Sequence, residues 1–300
     1  MSSTTFQQEP RTTVRRSGSL ATRRKMVDLF VKWLCVGATL IGLFFLASIM
    51  LTLILRGVVA LDWTVLSEEF RPTRYGDDTA PKGGLIHAII GSLIQTGLAT
   101  AIGTPIGLLV GTYLSEYARG SMLGNVLRFV SDILLSAPSI LIGLFIYQLV
   151  VLPMGGFSGI AGVLALSIIV IPVVVRTTED MLQLIPNTLR EAVIGLGAPK
   201  WKMITLVCYK AAASGILTGI LLAVARIAGE TAPLLLTSFG NNILSLDLTS
   251  AMSSLPIAIY QQANSGFPDL IEIAWSGALL VTFGVLAINI IARAVLRGRN

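Results

Sequence analysis

The chain has 300 residues, of which 54% are hydrophobic and only 13% are charged. A water-soluble fold would have too few polar side chains to cover its surface, so the composition indicates a membrane protein. The net charge of +6 does not indicate nucleic-acid binding, because the basic residues flank apolar segments and no basic patch is interleaved with aromatic residues.

The N-terminal segment, residues 1–32, is rich in Ser, Thr, Gln and Arg and has few apolar side chains. This composition predicts a basic tail that is largely disordered. The apolar run from Trp33 to Leu55 is too long for a signal peptide and lacks a small-residue cleavage site. It therefore predicts a retained first transmembrane helix, which an external loop follows as far as residue 85.

Five more apolar segments follow, each close to the roughly 20 residues that a helix needs to cross a bilayer. They cover residues 86–114, 133–152, 157–175, 212–236 and 272–292. Together with the first segment they predict an all-α, polytopic membrane protein with six transmembrane helices.

The basic residues of the connecting segments indicate the orientation of these helices. Seventeen Lys and Arg residues fall on the side of the two termini, and four fall on the opposite side: Arg56, Arg71, Arg74 and Lys82. Because positive residues are retained in the cytoplasm, both termini and the connection around residues 176–211 are predicted to be cytoplasmic.

Small residues spaced by four form stripes on two of the predicted helices. The second helix carries Ala99, Gly103, Gly107 and Gly111, and the fifth carries Ala211, Gly215, Gly219 and Ala223. Such stripes allow close backbone approach between membrane helices. They are compatible with packing inside one bundle and with contact to a second membrane subunit.

The connection at about residues 186–210 has the sequence of two short helices separated by a turn. Thr188 and Glu191 have the spacing of a capping box, Gly197 fits a C-terminal cap, and Pro199 fits the first position of the next helix. The first helix carries an apolar stripe formed by Leu189, Ala192, Val193 and Leu196. An apolar stripe in a hydrophilic loop predicts a helix that docks into a groove on another protein.

Glu191, Ala192 and Gly197 resemble the Glu-Ala-Ala, three residues, Gly loop of ABC importer permeases, which docks on the ATPase. Two positions depart from that pattern, with Val193 in place of the second Ala and Lys210 where many members have Pro. The resemblance implies an ATPase-coupling role for Leu189, Glu191, Ala192, Val193, Leu196 and Gly197. Glu191 either caps its own helix or contacts the ATPase, and the two roles are compatible.

The sequence has no Gly-x-x-x-x-Gly-Lys-Ser/Thr phosphate loop, so ATP hydrolysis would have to occur on a partner subunit. The chain is therefore predicted not to be an enzyme, with ATP and Mg bound by the partner ATPase. Cys35 and Cys208 are too few and too scattered for a metal site. No cofactor or metal is expected on this chain.

Arg226 and Glu230 are charged residues within the fifth apolar segment, four positions apart. A charge at the bilayer centre costs on the order of 3 kcal/mol on insertion scales, so such a pair is expected to face the bundle interior or a polar cavity. The pair is either a self-neutralising structural feature or a site where Arg226 offers paired donors to a tetrahedral oxyanion. In the second case Glu230 would keep the anion from binding too tightly.

The neighbouring residues favour a pathway. Gly229 and Pro233 bracket the charged turn and can bend a helix toward a cavity. Arg176, at the end of the fourth predicted helix, would be either the cytoplasmic end of the same route or a membrane anchor. Asp132 lies near the start of the third helix and is interpreted as part of a capping cluster.

The strings SDILLSAPSI, RTTED, LREAVIGLGAPKWKMI and ARIAGETAPLL resemble the permease subunits of phosphate-specific ABC importers, the PstA family. The resemblance implies a MetI-like permease domain over residues 86–293 in a bacterial cell membrane, with a cytoplasmic tail at 294–300. It implies that Arg226 and Arg176 serve phosphate passage, with Glu230 and Thr231 in the same motif.

The same resemblance implies a set of partners. These are a paralogous PstC-like permease in a heterodimer, two PstB-like ATPase subunits and an extracytoplasmic PstS-like phosphate-binding protein.

Two other readings of the sequence stay open. One is a permease for another oxyanion, such as sulfate, molybdate or phosphonate. The other is a secondary transporter or an intramembrane enzyme, in which Glu230 exchanges a proton or His87 acts as a base. His87 has no partner at catalytic spacing and is expected at the membrane interface.

Overall fold

The computed structural model describes residues 18–71 and 83–297, and within these ranges it contains helices and connections but no strands. The helices are α1 (Gly18–Ala60), α2 (Trp63–Ser67), α3 (Ile86–Thr112), α4 (Met122–Ser136), α5 (Ser139–Ile146), α6 (Gly159–Gln183), α7 (Asn187–Gly195), α8 (Lys200–Ala228), α9 (Ala232–Thr237), α10 (Leu255–Ala263) and α11 (Pro268–Arg297). Three π-helical stretches extend or interrupt them: Tyr113–Tyr117 after α3, Tyr147–Val151 after α5, and Met203–Cys208 within α8. A last helical turn, Leu152–Met154, continues the segment that begins with α5. The all-α fold class is confirmed.

The chain divides into two compact units, Met1–Thr52 and Leu53–Asn300. In the first unit, residues 18–52 belong to α1, and its large apolar side chains from Met26 to Leu51 are mostly exposed, as expected for a helix that faces lipid. The prediction of a largely disordered segment is wrong for residues 18–32, because this stretch contains good helix formers and continues α1. Residues 1–17 and 298–300 of the two predicted tails lie outside the described residues, as do Arg74 and Lys82.

Five helices of the described chain are long and apolar enough to cross a membrane: α1, α3, α6, α8 and α11. The third predicted span is a bent pair, in which α4 and α5 meet at an angle of 104°. Pro138 separates the two helices, because proline disfavours a helical residue before it and has no N–H to donate. Six crossings result if the pair counts as one, although the single helix predicted at 133–152 is wrong.

The second unit is built around contact between α3 and α6. A Cβ atom added to Gly103 or Gly107 would lie 2.8 Å or 2.6 Å from the side chains of Val170 or Val174, so the α3 backbone packs directly against these side chains. Gly219 of α8 lies equally close to Thr177 of α6. The small-residue stripes therefore serve packing inside this chain.

These contacts give the second unit two ends. At the α7 end lie the last turns of α3 and α6, the helix α7 and the start of α8. At the α10 end lie the first turns of α3 and α6, with α9 and α10. Here Gln95 of α3 donates a hydrogen bond to the carbonyl oxygen of Ser253 (3.1 Å) and Ser92 accepts one from the backbone N–H of Leu255 (2.7 Å). The connection between α9 and α10 is thereby held against α3.

Candidate functional site

The apolar stripe of α7 is largely open to solvent. Leu189, Ala192 and Leu196 are exposed, with Leu196 at 87% exposure, and only Val193 packs partly against the residues beneath the helix. A cavity of about 490 Å³ opens beside the first turn and is lined in part by Arg119, Gln183 and Asn187. Apart from Val193, the stripe therefore forms an exposed apolar surface on this chain.

The turn after α7 has the geometry that the sequence predicts. Gly197 has a φ of +81°, a conformation that glycine adopts at little cost. The N–H groups of Gly197 and Ala198 donate to the carbonyl oxygens of Ile194 (2.9 Å) and Val193 (3.4 Å), which is the Schellman pattern of a helix C-terminus. Gly197 is confirmed as the cap.

The start of α7 differs from the prediction. The helix begins at Asn187 with Pro186 as the capping residue, and no side chain caps it. Thr188 is already inside the helix and Glu191 is exposed, so the predicted capping box is wrong. The extended Pro186 starts the helix before Thr188 can act as a cap. Pro199 is the cap residue of α8 and not its first helical residue, a difference of one position.

A buried ion pair that sequence reasoning missed fixes α7 to the bundle. The Nη2 atom of Arg190 lies 2.8 Å from Oε1 of Glu116, and the two side chains are only 9% and 3% exposed. Glu116 belongs to the π-helical stretch after α3, 74 residues away in sequence. The one local signal was that Arg190 falls three residues before Val193, on the inward face of α7.

A second ion pair ties α4 to α6 at the same end. Nε of Arg128 donates to Oε1 of Glu179 at 2.7 Å, and Gln183 donates to the same oxygen at 2.9 Å. Arg128 also donates to the carbonyl oxygen of Leu114 at 3.0 Å.

Arg226 and Glu230 lie at a break between α8 and α9. The helix ends at Ala228, and Gly229 and Glu230 close a tight turn before α9 begins at Ala232. Nε of Arg226 is 3.8 Å from Oε1 of Glu230, and the side chains are 38% and 17% exposed. The continuous helix predicted over 212–236 is wrong, whereas the bend at Gly229 and Pro233 is confirmed. The turn thus presents a loosely paired guanidinium on an open face.

Thr231 and Pro233 connect this turn to the rest of the bundle. Thr231 is the capping residue of α9, and its carbonyl oxygen accepts a hydrogen bond from Leu235 N–H (3.0 Å). Pro233 packs on Gly143 of α5, where an added Cβ would lie 2.7 Å from the proline Cα. The position of the charged turn therefore depends on α5.

Arg176 lies between two carboxylates. Its guanidinium is 3.3 Å from Asp180 on α6 and 3.8 Å from Asp132 on α4, and all three side chains are about half exposed. Asp132 is therefore a partner of Arg176, and α5 has no side-chain cap, so the capping role predicted for Asp132 is wrong.

The two arginines occupy different levels of the bundle. Gly219 of α8 lies against Thr177, next to Arg176, and Arg226 is seven residues further along α8. Seven helical residues correspond to roughly 10 Å. The structure therefore does not bring the arginines into one site, but places Arg226 closer to the α10 end and Arg176 closer to the α7 end.

His87 is buried and lies edge-on to Phe70 with ring centroids 6.4 Å apart. It lies in the first turn of α3, and its location at the depth of the membrane interface stays a prediction. Leu85 and Ala88 beside it belong to the apolar cluster beneath α2. Among the described residues, no group of three or more His, Cys, Asp or Glu side chains could hold a metal ion.

Comparison with known proteins places this chain in a family. The sequence profile described as "Binding-protein-dependent transport system inner membrane component" matches residues 103–299. The chain is 51% identical to the phosphate transport system permease protein PstA of Pasteurella multocida, over 90% of this chain and 94% of that protein. It is 51% identical to PstA of Haemophilus influenzae, over 85% and 89%, and 37% identical to PstA 1 of Mycobacterium tuberculosis, over 84% of each protein.

Two solved structures share the fold. An inward-facing MetNI methionine ABC transporter matches with a TM-score of 0.61 at 19% identity, over 72% of this chain and 96% of that chain. A bacterial alginate ABC transporter in complex with its periplasmic protein matches with a TM-score of 0.63 at 14% identity, over 90% and 94%. The chain has the MetI-like permease fold, and it belongs to the binding-protein-dependent transport system inner membrane component family, among the PstA phosphate transport system permease proteins.

Proposed function

We propose that this chain is the permease subunit of an ATP-driven importer that carries inorganic phosphate into the bacterial cytoplasm. The observation that carries the proposal is the guanidinium of Arg226 at a helix break, in a chain about half identical to PstA proteins. Planar, paired donors suit a tetrahedral oxyanion, and an interrupted membrane helix is typical of a transport pathway.

The orientation follows from the distribution of basic residues. Both termini and the α7 end face the cytoplasm, and the α10 end faces the extracytoplasmic side. Phosphate entering from outside would then meet Arg226 before Arg176.

Phosphate passage requires binding that is weak enough for release. Glu230, 3.8 Å from Arg226, offsets part of the charge that the anion would meet. Asp132 and Asp180 do the same for Arg176. Thr231, beside Glu230, supplies a hydroxyl next to the pathway. The two arginines are successive binding positions for one anion, and nearby carboxylates neutralise part of the charge of each.

The pathway needs a second subunit. Arg226 and Arg176 lie on partly open faces of this chain, and a charge at membrane depth is expected to face protein or a water-filled cavity. We infer that a paralogous PstC-like permease covers this face in a heterodimer. An extracytoplasmic PstS-like protein delivers the phosphate.

ATP is hydrolysed on partner subunits. The exposed stripe of Leu189, Ala192 and Leu196, with Val193 behind it, docks on one of two PstB-like ATPases that hold ATP and Mg. Glu191 lies exposed on the same helix, and Gly197 sets the turn that presents it. The energy of hydrolysis reaches the membrane helices through α7.

The proposal is tested by co-expressing this chain with its genomic neighbours and reconstituting the complex in proteoliposomes. Phosphate delivered by the binding protein should stimulate ATP hydrolysis and accumulate inside the vesicles. Sulfate, molybdate and phosphonate are the matched controls and should do neither. Stimulation by sulfate without stimulation by phosphate would reassign the substrate, and uptake driven by a proton gradient without ATP would reassign the class.

A further inference from the structure

Arg190 is the buried residue of α7, and its guanidinium turns into the bundle. Besides the ion pair with Glu116, its Nη2 donates to the carbonyl oxygen of Leu182 (2.6 Å) and its Nη1 to that of Ile185 (2.5 Å). One guanidinium thus joins three segments: α7, the end of α6 and the π-helical stretch after α3. Its planar set of five donors makes this possible.

A second tether reaches the same stretch from the other side of the turn. Lys200, at the start of α8, donates a hydrogen bond to the carbonyl oxygen of Glu116, and its ammonium lies 4.2 Å from the ring centroid of Tyr117. Residues 116 and 117 are therefore held from both sides of the turn that contains Gly197. Insertions of π-helix are frequent at functional positions.

From Glu116 the contacts continue through stiff groups. The glycine backbone of α3 packs against β-branched valine side chains of α6 at Gly103 and Gly107, and against a backbone carbonyl of α6 at Gly111. Arg176 lies on the same helix, α6. A displacement of α7 would therefore move α3 and α6 together, because glycine has no side chain and a helical valine has one strongly preferred rotamer.

We propose that Arg190 is the positioning residue that transmits movement of α7 to the membrane helices through Glu116. This inference rests on the proposed docking of α7 on an ATPase. A buried ion pair is a poor source of net stability, but it fixes one arrangement of its segments, because separating the charges leaves both unpaired in the interior. The pair thus makes α7 and the end of α3 move as a unit.

The test uses Arg190→Gln in the full complex of both permeases, the ATPase and the binding protein. Phosphate uptake and ATP hydrolysis are measured in the same proteoliposomes, and the ATPase that co-purifies is quantified. We expect the ATPase to stay bound and the phosphate imported per ATP hydrolysed to fall about fivefold or more, the usual size of a lost coupling between sites. A purely structural role would lower the yield of the complex without changing this ratio.

Arg128→Gln is the matched control. It removes the Arg128–Glu179 pair at the same end of the bundle. The contacts of Arg128, which are with Glu179, Asn125 and the carbonyl oxygen of Leu114, do not involve α7. The ratio should stay at the wild-type value. An equal fall in this variant would overturn the inference, because any lost ion pair would then suffice.

Glu116→Ala removes the other partner of the ion pair, and it replaces Arg190→Gln in the test if the Arg190→Gln complex does not assemble. An assembled Glu116→Ala complex with a lowered ratio supports the inference, and one with the wild-type ratio overturns it. Failure of both variants to assemble, while Arg128→Gln assembles, would make the pair a folding requirement and also overturn it. Failure of the proposed function is distinct, because the wild-type complex itself would then lack phosphate-stimulated hydrolysis.

Discussion

Arg226 occupies the last turn of α8, where its surroundings favour a positive charge without neutralising it fully. The carbonyl groups at the helix C-terminus point toward this turn and attract cations, and Glu230 adds a carboxylate 3.8 Å away. A direct salt bridge would be shorter, near 2.8 Å. The guanidinium therefore keeps donors available for an anion, which a closed structural pair would not.

Replacing Arg226 by Gln should lower phosphate uptake strongly while the complex still assembles. The loss of charge-assisted hydrogen bonds is worth about 1.5–3 kcal/mol per contact, so uptake by Arg226→Gln should fall roughly tenfold to a hundredfold. Arg226→Lys keeps the charge but not the planar fork and should be intermediate. Uptake of radiolabelled phosphate into proteoliposomes measures both.

Arg71→Gln is the control for this series, because Arg71 forms an exposed ion pair with Glu68, 3.2 Å away, outside the proposed pathway. It should transport like the wild type. Unimpaired uptake by Arg226→Gln would show that Arg226 and Glu230 form a structural pair and do not bind phosphate.

At the scale of elements, α7 combines an exposed face that fits a partner with a buried face that fits the bundle. Leu189 and Leu196 are exposed apolar residues, and the helix ends at the turn formed by Gly197. Arg190 and Val193 hold the opposite face. The exposed face of α7 can therefore bind a partner while the buried face stays attached to the membrane helices.

Leu189→Asp combined with Leu196→Asp should release the ATPase when the complex is extracted in detergent. Burying a leucine contributes about 1.5–3 kcal/mol, and each aspartate would also leave a charge in an apolar groove. Co-purification of the ATPase with a tagged permease measures the loss.

Ile194→Asp is the control, since Ile194 is exposed on another side of α7. The ATPase should stay bound in this variant. A stoichiometric ATPase on the double variant would refute the docking role of the stripe.

Local signals predicted part of this element and could not predict the rest. Gly197 could be identified from the sequence because a C-terminal cap depends only on neighbouring residues: a short helix followed by a glycine. The Arg190–Glu116 pair was not, because its two residues are 74 positions apart and meet only once α3 and α6 are packed. The predicted capping box failed because Thr188 and Glu191 fit the spacing but Pro186 starts the helix earlier.

The breaks in the membrane helices were predictable to different degrees. Gly229 and Pro233 predicted the turn at Glu230, because both residues destabilise a helix within an apolar segment. Pro138 carried a similar signal, yet hydropathy alone merged the residues after it with the end of α4 into one span. The hydropathy of a segment indicates whether its residues lie in the membrane but not the direction of the helix axis. The 104° bend between α4 and α5 therefore could not be predicted from hydropathy.

For the whole molecule, the proposed function requires that α7 and the α9–α10 connection lie on opposite sides of the membrane. Both regions carry exposed leucines, Leu196 after α7 and Leu246 in the connection. The ATPase must reach the first from the cytoplasm, and the binding protein must reach the second from outside. Orientation is thus a condition on which both partner interactions depend.

Single-cysteine labelling tests this orientation directly. In a background where Cys35 and Cys208 are replaced by Ser, and in cells that lack the ATPase that would cover Leu196, Leu246→Cys should react with a membrane-impermeant maleimide in intact spheroplasts. Leu196→Cys should react only after the membrane is permeabilised, because a charged reagent cannot cross about 30 Å of hydrocarbon. Labelling of both variants after permeabilisation is the control for accessibility. Reaction of Leu196→Cys in sealed spheroplasts would show that α7 faces the extracytoplasmic side. A cytoplasmic ATPase could not then reach α7, and the proposed direction of transport would be contradicted.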